Sequence, residues 1–546
     1  MSDSLSQARN AVEAAAGVVD VAARRLADLC VADGKISVTK LDQHQVLAYD
    51  LAHAAASVEA GRAMLDYATK GDLEARLAFG FIADSIAELA TKLVGRAEVW
   101  GSDGTALQPA ADFVAQHRAP EFLESLGDEV VKHGTGPNHL DDDFTLVADT
   151  FRRFADEVVR PHAEHVHRTN GDVPEAIIEG LAEIGGFGLS VPEEFGGFAT
   201  GGESDYMGMV VSTEELSRGS LGIGGSLITR PEILTRAVVA GGTDAQKQTW
   251  LPRIATGELM AGIMVTEPDF GSDVQGLKVS ATPTDGGYLI NGVKTWCTFA
   301  GRATILLVLA RTNPDRALGG KGLSCFLVEK PQADGHHFAF TQDPVDGREP
   351  GKLEGRAIDT IGYRGMHSYE VAFDNWFVPA ENLVGEEGGL GRGFYLQMAG
   401  FENGRLQTAA RAVGLMQAAF EAGLDYAQNR NIFGKSLFDY QLSKTKFARM
   451  AFLIQAGRQF SYDVARLMGN GEGTLEASMV KAYVCRAAEW VTREAMQLHG
   501  GMGYAEEFPV SRYFVDARVL SIFEGTDETL CTRVITRRLV EQALAR

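Results

Sequence analysis

The sequence lacks long apolar runs: its longest uninterrupted stretches, such as Ile305 to Ala310, fall far short of the ~18 residues a bilayer span requires. A transmembrane helix is therefore not expected. Cysteine is scarce, with 5 in 546 residues. Cys30, Cys297, Cys325, Cys485 and Cys531 form no CxxC pair, which argues against a disulfide framework or a zinc site and reads as reduced, buried thiols. Positive charge is short as well. With 51 basic against 73 acidic residues the formal charge is −22, which repels phosphate backbones and disfavours nucleic-acid binding. The start, MSDSLSQARN, has no basic segment leading into an apolar core, so a cytoplasmic address is expected rather than a secretory or transit route. No GxGxxG follows a strand, and Gly434-Lys435-Ser436 is preceded by Asn429 where a phosphate loop requires glycine. The PHAEHVH cluster (His162, His165, His167) lies beside Glu164 and Arg168, reads as a solvated helix, and supports no metal site.

What is present is periodicity, and it changes along the chain. The length suits roughly three to four domains at ~150 residues each. In residues 1–115 one amphipathic face, Val12, Ala15, Val19, Ala22 and Leu26, follows helical spacing and predicts an N-terminal helical extension. Residues 116–140, rich in Gly, Pro and Asp, read as a linker. Helical spacing returns over 141–262. Over 263–380 the period becomes two, and the turn signals Asp285 to Gly287 and Asn291-Gly292 predict hairpins of a small antiparallel β domain. Long helical segments fill 381–546. The first domain also carries signs of being a degenerate copy of the last: QVLAYDLAHAAASVEAGR from Gln45 aligns without gaps to QLSKTKFARMAFLIQAGR from Gln441, and Leu73-Glu74-Ala75 aligns to Leu475-Glu476-Ala477.

Four segments carry chemistry. In TEPDFGSD and KTWCTFAG, Thr266, Ser272 and Thr298 offer hydroxyls on half-exposed strands, and Trp296 offers a flat stacking face. FENGR, ending at Arg405, opens a long helix. In RNIFGK, Arg430 supplies the positive charge a pyrophosphate needs and Phe433 an apolar contact. In LHGGMGY, Gly500, Gly501 and Gly503 can present backbone N–H groups to an anion. Further on, Glu524 lies between Phe523 and Gly525, either as an exposed turn acid or as a partly desolvated carboxylate able to act as a base.

Taken in this order, TEPDFGSD, KTWCTFAG, RNIFGK, LHGGMGY and FEGTDET resemble the acyl-CoA dehydrogenase family over about residues 140 to 546. The resemblance implies an α+β, mostly α fold: a helical domain, a β domain and a C-terminal four-helix bundle, here with an extra N-terminal helical domain. It implies FAD held by Thr266, Ser272 and the Trp296-Cys297-Thr298 strand. Arg430, Phe433, Gln441 and the run Gln497, Leu498, His499, Gly500 and Gly501 would reach a neighbouring subunit's FAD, with Thr526 and Glu528 contacting the FAD of their own subunit. Ser272, Arg405 and Gly525 would meet the acyl-CoA. Glu524 would be the base, because the alternative family position, just before Arg405, is Gly404. The implied reaction removes an α-proton of a thioester while a hydride passes from Cβ to flavin N5. The enolate is steadied by the Glu524 N–H and a flavin ribityl hydroxyl, and an electron-transfer flavoprotein accepts the electrons. The long helical extension resembles the branch of the family that converts (2S)-methylsuccinyl-CoA to mesaconyl-CoA in the ethylmalonyl-CoA pathway. Its substrate carries a free carboxylate, for which Arg230 is the candidate cation. Another short- or branched-chain dehydrogenase, an acyl-CoA oxidase and a non-catalytic flavin- or CoA-binding scaffold are the alternatives. A homodimer or homotetramer is expected.

Overall fold

The computed structural model describes residues 2–32, 34–343 and 349–545. The chain divides into two compact units, one formed by Met1–Thr145 with Thr408–Arg546 and the other by Leu146–Gln407.

The N-terminal part is helical: α1 (Ser2–Cys30), α2 (Val38–Gln43), α3 (Gln45–Tyr67), α4 (Asp72–Leu93), α5 (Ala111–His117) and α6 (Pro120–His133), with a short hairpin of β1 (Val31–Ala32) and β2 (Lys35–Ile36) after α1. The α1 face read from spacing is the buried one, since Val12, Ala15, Val19, Ala22 and Leu26 are all at most 7% exposed. The stretch expected as a linker differs. Residues Pro120–His133 form a helix whose proline opens the first turn, where its missing N–H is harmless. Leu126 and Val130 on that helix are fully buried. Pro120 and Gly127 lie within this helix, and only Gly134, Gly136 and Pro137 follow it.

The second unit begins with helices, α7 (Asp142–Phe154), α8 (Arg160–Thr169), α9 (Glu175–Glu183), α10 (Glu203–Gly219), α11 (Thr229–Gly241) and α12 (Asp244–Ala255). It continues into β3 (Ala261–Met264), β4 (Ser280–Thr284), β5 (Gly287–Thr298), β6 (Ile305–Arg311), β7 (Leu323–Glu329), β8 (His337–Thr341), β9 (Lys352–Ile358) and β10 (Ser368–Pro379). These form one sheet of order β3-β6-β4-β5-β10-β9-β8, with β7 on β6. The sheet is mixed rather than antiparallel throughout, because β3 runs parallel to β6. Asp285 and Gly286 make the expected tight turn, with Thr284 paired to Gly287 across it. Asn291-Gly292 does not. It lies inside β5, opposite a register shift between Phe373 and Trp376 of β10, and Asn291 Oδ1 accepts from Asn375 N at 2.8 Å. The same residue pair that favours a hairpin here accommodates a β-bulge.

Across the division runs α13 (Gly393–Asn429), followed by a hairpin of β11 (Asn431–Ile432) and β12 (Lys435–Ser436) and by α14 (Gln441–Gly469), α15 (Thr474–Leu498), α16 (Pro509–Leu520), the short α17 (Asp527–Thr529) and α18 (Thr536–Ala545). The two alignments read as an internal repeat fall at helix starts: α3 opens at Gln45 and α14 at Gln441, while α4 and α15 each follow a glycine N-cap, Gly71 and Gly473. In the first unit the N-terminal helices pack on α14 and α15. The approach is close, for a Cβ on Gly127 of α6 would sit 2.6 Å from the Lys444 carbonyl oxygen of α14.

Candidate active site

In the second unit the candidate residues gather around a bulge. Between Tyr369 and Val371 of β10 the register shifts, so that Thr295 and Trp296 of β5 together oppose Glu370. A bulge re-aims side chains, and Trp296 takes a left-handed φ of 56° and stands 55% exposed. Its neighbours on the strand point inward. Thr298 is 6% exposed, and its Oγ1 lies 3.0 Å from Ser368 Oγ. The Cys297 thiol is buried in the β core and burial pushes it up to about 12, leaving only the backbone of that residue to meet a ligand. Thr266 crosses the bulge, its carbonyl accepting from Thr295 N at 2.8 Å. Gly271 and Ser272 are exposed on the following loop.

This segment is anchored by a pair that sequence reading missed. Lys294, fully buried, donates to Glu267 Oε1 and to the Val265 carbonyl, both at 2.9 Å. Glu267 in turn accepts from the backbone N–H groups of Lys278 (2.7 Å) and Val279 (2.8 Å). Its signal was a lysine at a buried strand position, which must be paired to be tolerated.

On the helical side of this unit, Arg230 near the start of α11 is 6% exposed, so it is not a surface arginine. Arg405 lies in α13, partly buried, one residue after the buried Gly404.

In the first unit two groups form. Arg430, at the C-terminal end of α13, leads into the β11–β12 hairpin, whose tip residues Phe433 (φ 47°) and Gly434 (φ 87°) are both left-handed. Such a turn prefers Asn-Gly, and Phe433 stands 97% exposed at its tip. The Tyr426 ring stacks on His499 at 4.2 Å, which joins this end of α13 to the Gln497–Gly501 run. Within that run Leu498 and His499 turn inward, and His499 Nδ1 bonds the Ala495 carbonyl oxygen at 2.8 Å. Gln497, Gly500 and Gly501 face outward, and a Cβ on either glycine would meet nothing within 4 Å. Gln441 is exposed and donates to Glu124 Oε2 of α6 at 2.9 Å.

The second group centres on Glu524. It too is left-handed (φ 55°), a conformation that costs a non-glycine residue roughly 1–2 kcal/mol. Its side chain is only 6% exposed and lies 4.0 Å from the guanidinium of Arg411. Arg411, fully buried, stacks over the Phe523 ring at 4.7 Å and donates to Thr408 Oγ1 at 2.6 Å. Nothing in its helical spacing distinguished it in sequence. Thr526 caps α17, its Oγ1 accepting from Thr529 N at 3.3 Å, while Glu528 is exposed. Lys481 Nζ donates to the Gly525 carbonyl at 2.7 Å. Trp296, Phe433 and Glu524 therefore share one property: a bulky or charged side chain held at a left-handed φ. Strain of this kind clusters at functional sites.

The sequence matches the N-terminal, middle and C-terminal domains of acyl-CoA dehydrogenase over residues 141–258, 262–376 and 391–540. The chain belongs to the acyl-CoA dehydrogenase family. It is 38% identical to a (2S)-methylsuccinyl-CoA dehydrogenase of Cereibacter sphaeroides over 99% of both chains. It is 34% identical to a mitochondrial isovaleryl-CoA dehydrogenase of Oryza sativa over 74% of this chain and 92% of that one. Among solved structures, butyryl-CoA dehydrogenase from Megasphaera elsdenii superposes with a TM-score of 0.64 at 29% identity, covering 75% of this chain and 99% of that one. The chain is thus an FAD-dependent acyl-CoA dehydrogenase, an oxidoreductase acting on CH–CH groups. The bulge suits that cofactor: an exposed indole for a planar ring beside hydroxyl groups and a glycine loop. Among the described residues no helix is long and apolar enough to cross a membrane.

Proposed function

We propose that the chain oxidises (2S)-methylsuccinyl-CoA to mesaconyl-CoA, acting in the ethylmalonyl-CoA pathway in the cytoplasm. The observation that carries this reading is the extent of the likeness to the Cereibacter sphaeroides enzyme, which includes the N-terminal helices, whereas the isovaleryl-CoA dehydrogenase match spans 74% of the chain. Arg230 adds chemical support. A buried guanidinium is what a distal substrate carboxylate requires, because charge-assisted, bidentate hydrogen bonds are strong away from water.

Glu524 is the base. Abstraction of a weakly acidic α-proton needs a carboxylate shielded from water and placed at the carbon, and the Glu524 side chain is both buried and fixed at an uncommon φ. The proton moves from the substrate Cα to a Glu524 carboxylate oxygen. FAD, when bound, supplies the two-electron acceptor for the β-hydrogen. Thr266, Ser272, Trp296, the Cys297 backbone and Thr298 serve the cofactor, with Thr526 and Glu528. Ser272, Arg405 and Gly525 serve the acyl-CoA. An electron-transfer flavoprotein takes the electrons onward, and peroxide formed under air would instead mark an oxidase.

Replacing Arg230 by Met is expected to lower kcat/KM for methylsuccinyl-CoA by about 10- to 100-fold, the loss of roughly 1.5–3 kcal/mol from one charged hydrogen-bonded contact, with butyryl-CoA little affected. Undiminished kcat/KM for methylsuccinyl-CoA removes Arg230 from the site.

Arg430, Phe433, Gln441 and the exposed part of Gln497–Gly501 serve the FAD of a neighbouring copy in a homo-oligomer. The turn tip makes this testable. Phe433→Asn suits the left-handed φ better than phenylalanine, so thermal stability of the apoprotein should hold or rise. FAD retention during gel filtration should fall. Unchanged retention would show that Phe433 has no part in cofactor binding.

A further inference from the structure

The loop that carries the base is held in part by the N-terminal helices. Asp527, three residues after Glu524, is 8% exposed. Its Oδ2 accepts from the Tyr49 hydroxyl at 2.5 Å and lies 3.0 Å from His53 Nε2. Its Oδ1 faces Cys531 Sγ at 3.8 Å, and that sulfur lies 3.4 Å from His53 Nε2. Tyr49 and His53 stand one turn apart on α3, their rings edge to face at 4.7 Å. Burial works against the Asp527 charge, but the hydrogen bonds and charge of His53, with Tyr49 and Arg486, outweigh it and hold the carboxyl below its ordinary range. Burial holds His53 below its own, aided by Arg486 and Lys92 and opposed by Asp527. As the Nε2–H tautomer or as the imidazolium, His53 donates from Nε2 to the Asp527 carboxylate. The Asp527 N–H donates to the Ser521 carbonyl at 3.0 Å, and Lys481 holds Gly525 as described. Glu524 sits between these ties, in a backbone conformation that persists only where its surroundings determine it.

We propose that Tyr49 and His53 are positioning residues for Glu524: through Asp527 the N-terminal helical domain holds the base in its strained conformation. This rests on Glu524 being the base, and it assigns the extension a part in the reaction as well as in packing. A carboxylate displaced by about 1 Å can lose 10²-fold in rate.

The test compares two conservative variants of the holoenzyme. Tyr49→Phe removes one hydroxyl from the Asp527 cluster. Thr536→Val removes a different bond to the same helix, the Thr536 hydroxyl to the Ala48 carbonyl at 2.6 Å. With methylsuccinyl-CoA under anaerobic single-turnover conditions, Tyr49→Phe is expected to slow flavin bleaching by about 10- to 100-fold with FAD content and KM unchanged, whereas Thr536→Val lowers Tm yet bleaches at the parental rate. The Tyr49→Phe/Asp527→Asn double variant should be no slower than the slower single variant, since both break one interaction. Parental bleaching by Tyr49→Phe, equal slowing by Thr536→Val, or additive effects in the double variant would overturn the proposal. Glu524→Gln separates the two readings. If it bleaches at the parental rate, the base assignment itself fails; if it is inert while Tyr49→Phe is unaffected, only the role of α3 fails.

Discussion

Glu524→Gln is expected to keep its FAD and its thermal midpoint while losing about 10²- to 10⁴-fold in the rate of substrate-driven flavin bleaching, the usual worth of a general base. The amide is isosteric, so the loop, the Lys481 tie to Gly525 and the Asp527 cluster stay in place, and what disappears is the ability to take the α-proton. Because proton removal and loss of the β-hydrogen belong to one dehydrogenation, the defect should appear in kcat and kcat/KM alike. Rapid bleaching by the variant would show that another group removes the proton, and Glu402, two residues before Gly404, would be the next carboxylate to replace.

The second large effect is expected at a distance from any reacting atom. Lys294→Met should destabilise the protein by about 3–5 kcal/mol, the cost of stranding one member of a buried ion pair. Lys294 is fully buried, and burial pulls its ammonium below the ordinary lysine range against the opposing attraction of Glu267. Without it the Glu267 carboxylate keeps its two backbone donors but loses its counter-charge. Because the pair ties the segment carrying Thr266 to the strand carrying Trp296 and Thr298, FAD should also be lost more readily. Denaturant unfolding measures the first effect, and flavin absorbance after gel filtration the second. The Lys294→Met/Glu267→Gln double variant should recover part of the stability, since neither charge is then left alone. A Lys294→Met protein with parental stability would show that the pair contributes little.

Much of the fold was legible because periodicity is set by burial. The α1 face, the sheet region and the long C-terminal helices all follow from which residues avoid water. Local turn chemistry was less decisive. Asp285-Gly286 turns the chain, but Asn291-Gly292 lies at a bulge, because β5 is held along its length by β4 and β10 and tertiary pairing outweighs a two-residue preference. The stretch 116–140 misled for a similar reason. Gly134 and Gly136 follow α6, but Gly127 lies inside it, at its close approach to α14, some 300 residues away.

The candidate residues that a short motif marks were legible, and the contacts that hold them in place were not. Trp296, Arg430, Phe433 and Glu524 belong to short motifs with unusual residue types. Arg411, the Lys294–Glu267 pair and the Tyr49–His53–Asp527 cluster owe their roles to contacts between segments far apart in sequence, and neither spacing nor composition reveals such contacts. Within the contiguous run Gln497–Gly501, Leu498 and His499 lie between outward-facing residues but turn their side chains inward, which a run of letters does not show.

The identity of the substrate decides the proposed function. Anaerobic addition of (2S)-methylsuccinyl-CoA to the oxidised enzyme, followed at about 450 nm, the band of oxidised flavin, tests it directly against butyryl-CoA and isovaleryl-CoA. Stoichiometric bleaching with mesaconyl-CoA as the product is expected, faster than with either of the other thioesters. Slower bleaching with methylsuccinyl-CoA than with butyryl-CoA or isovaleryl-CoA, or no mesaconyl-CoA formed, would contradict it.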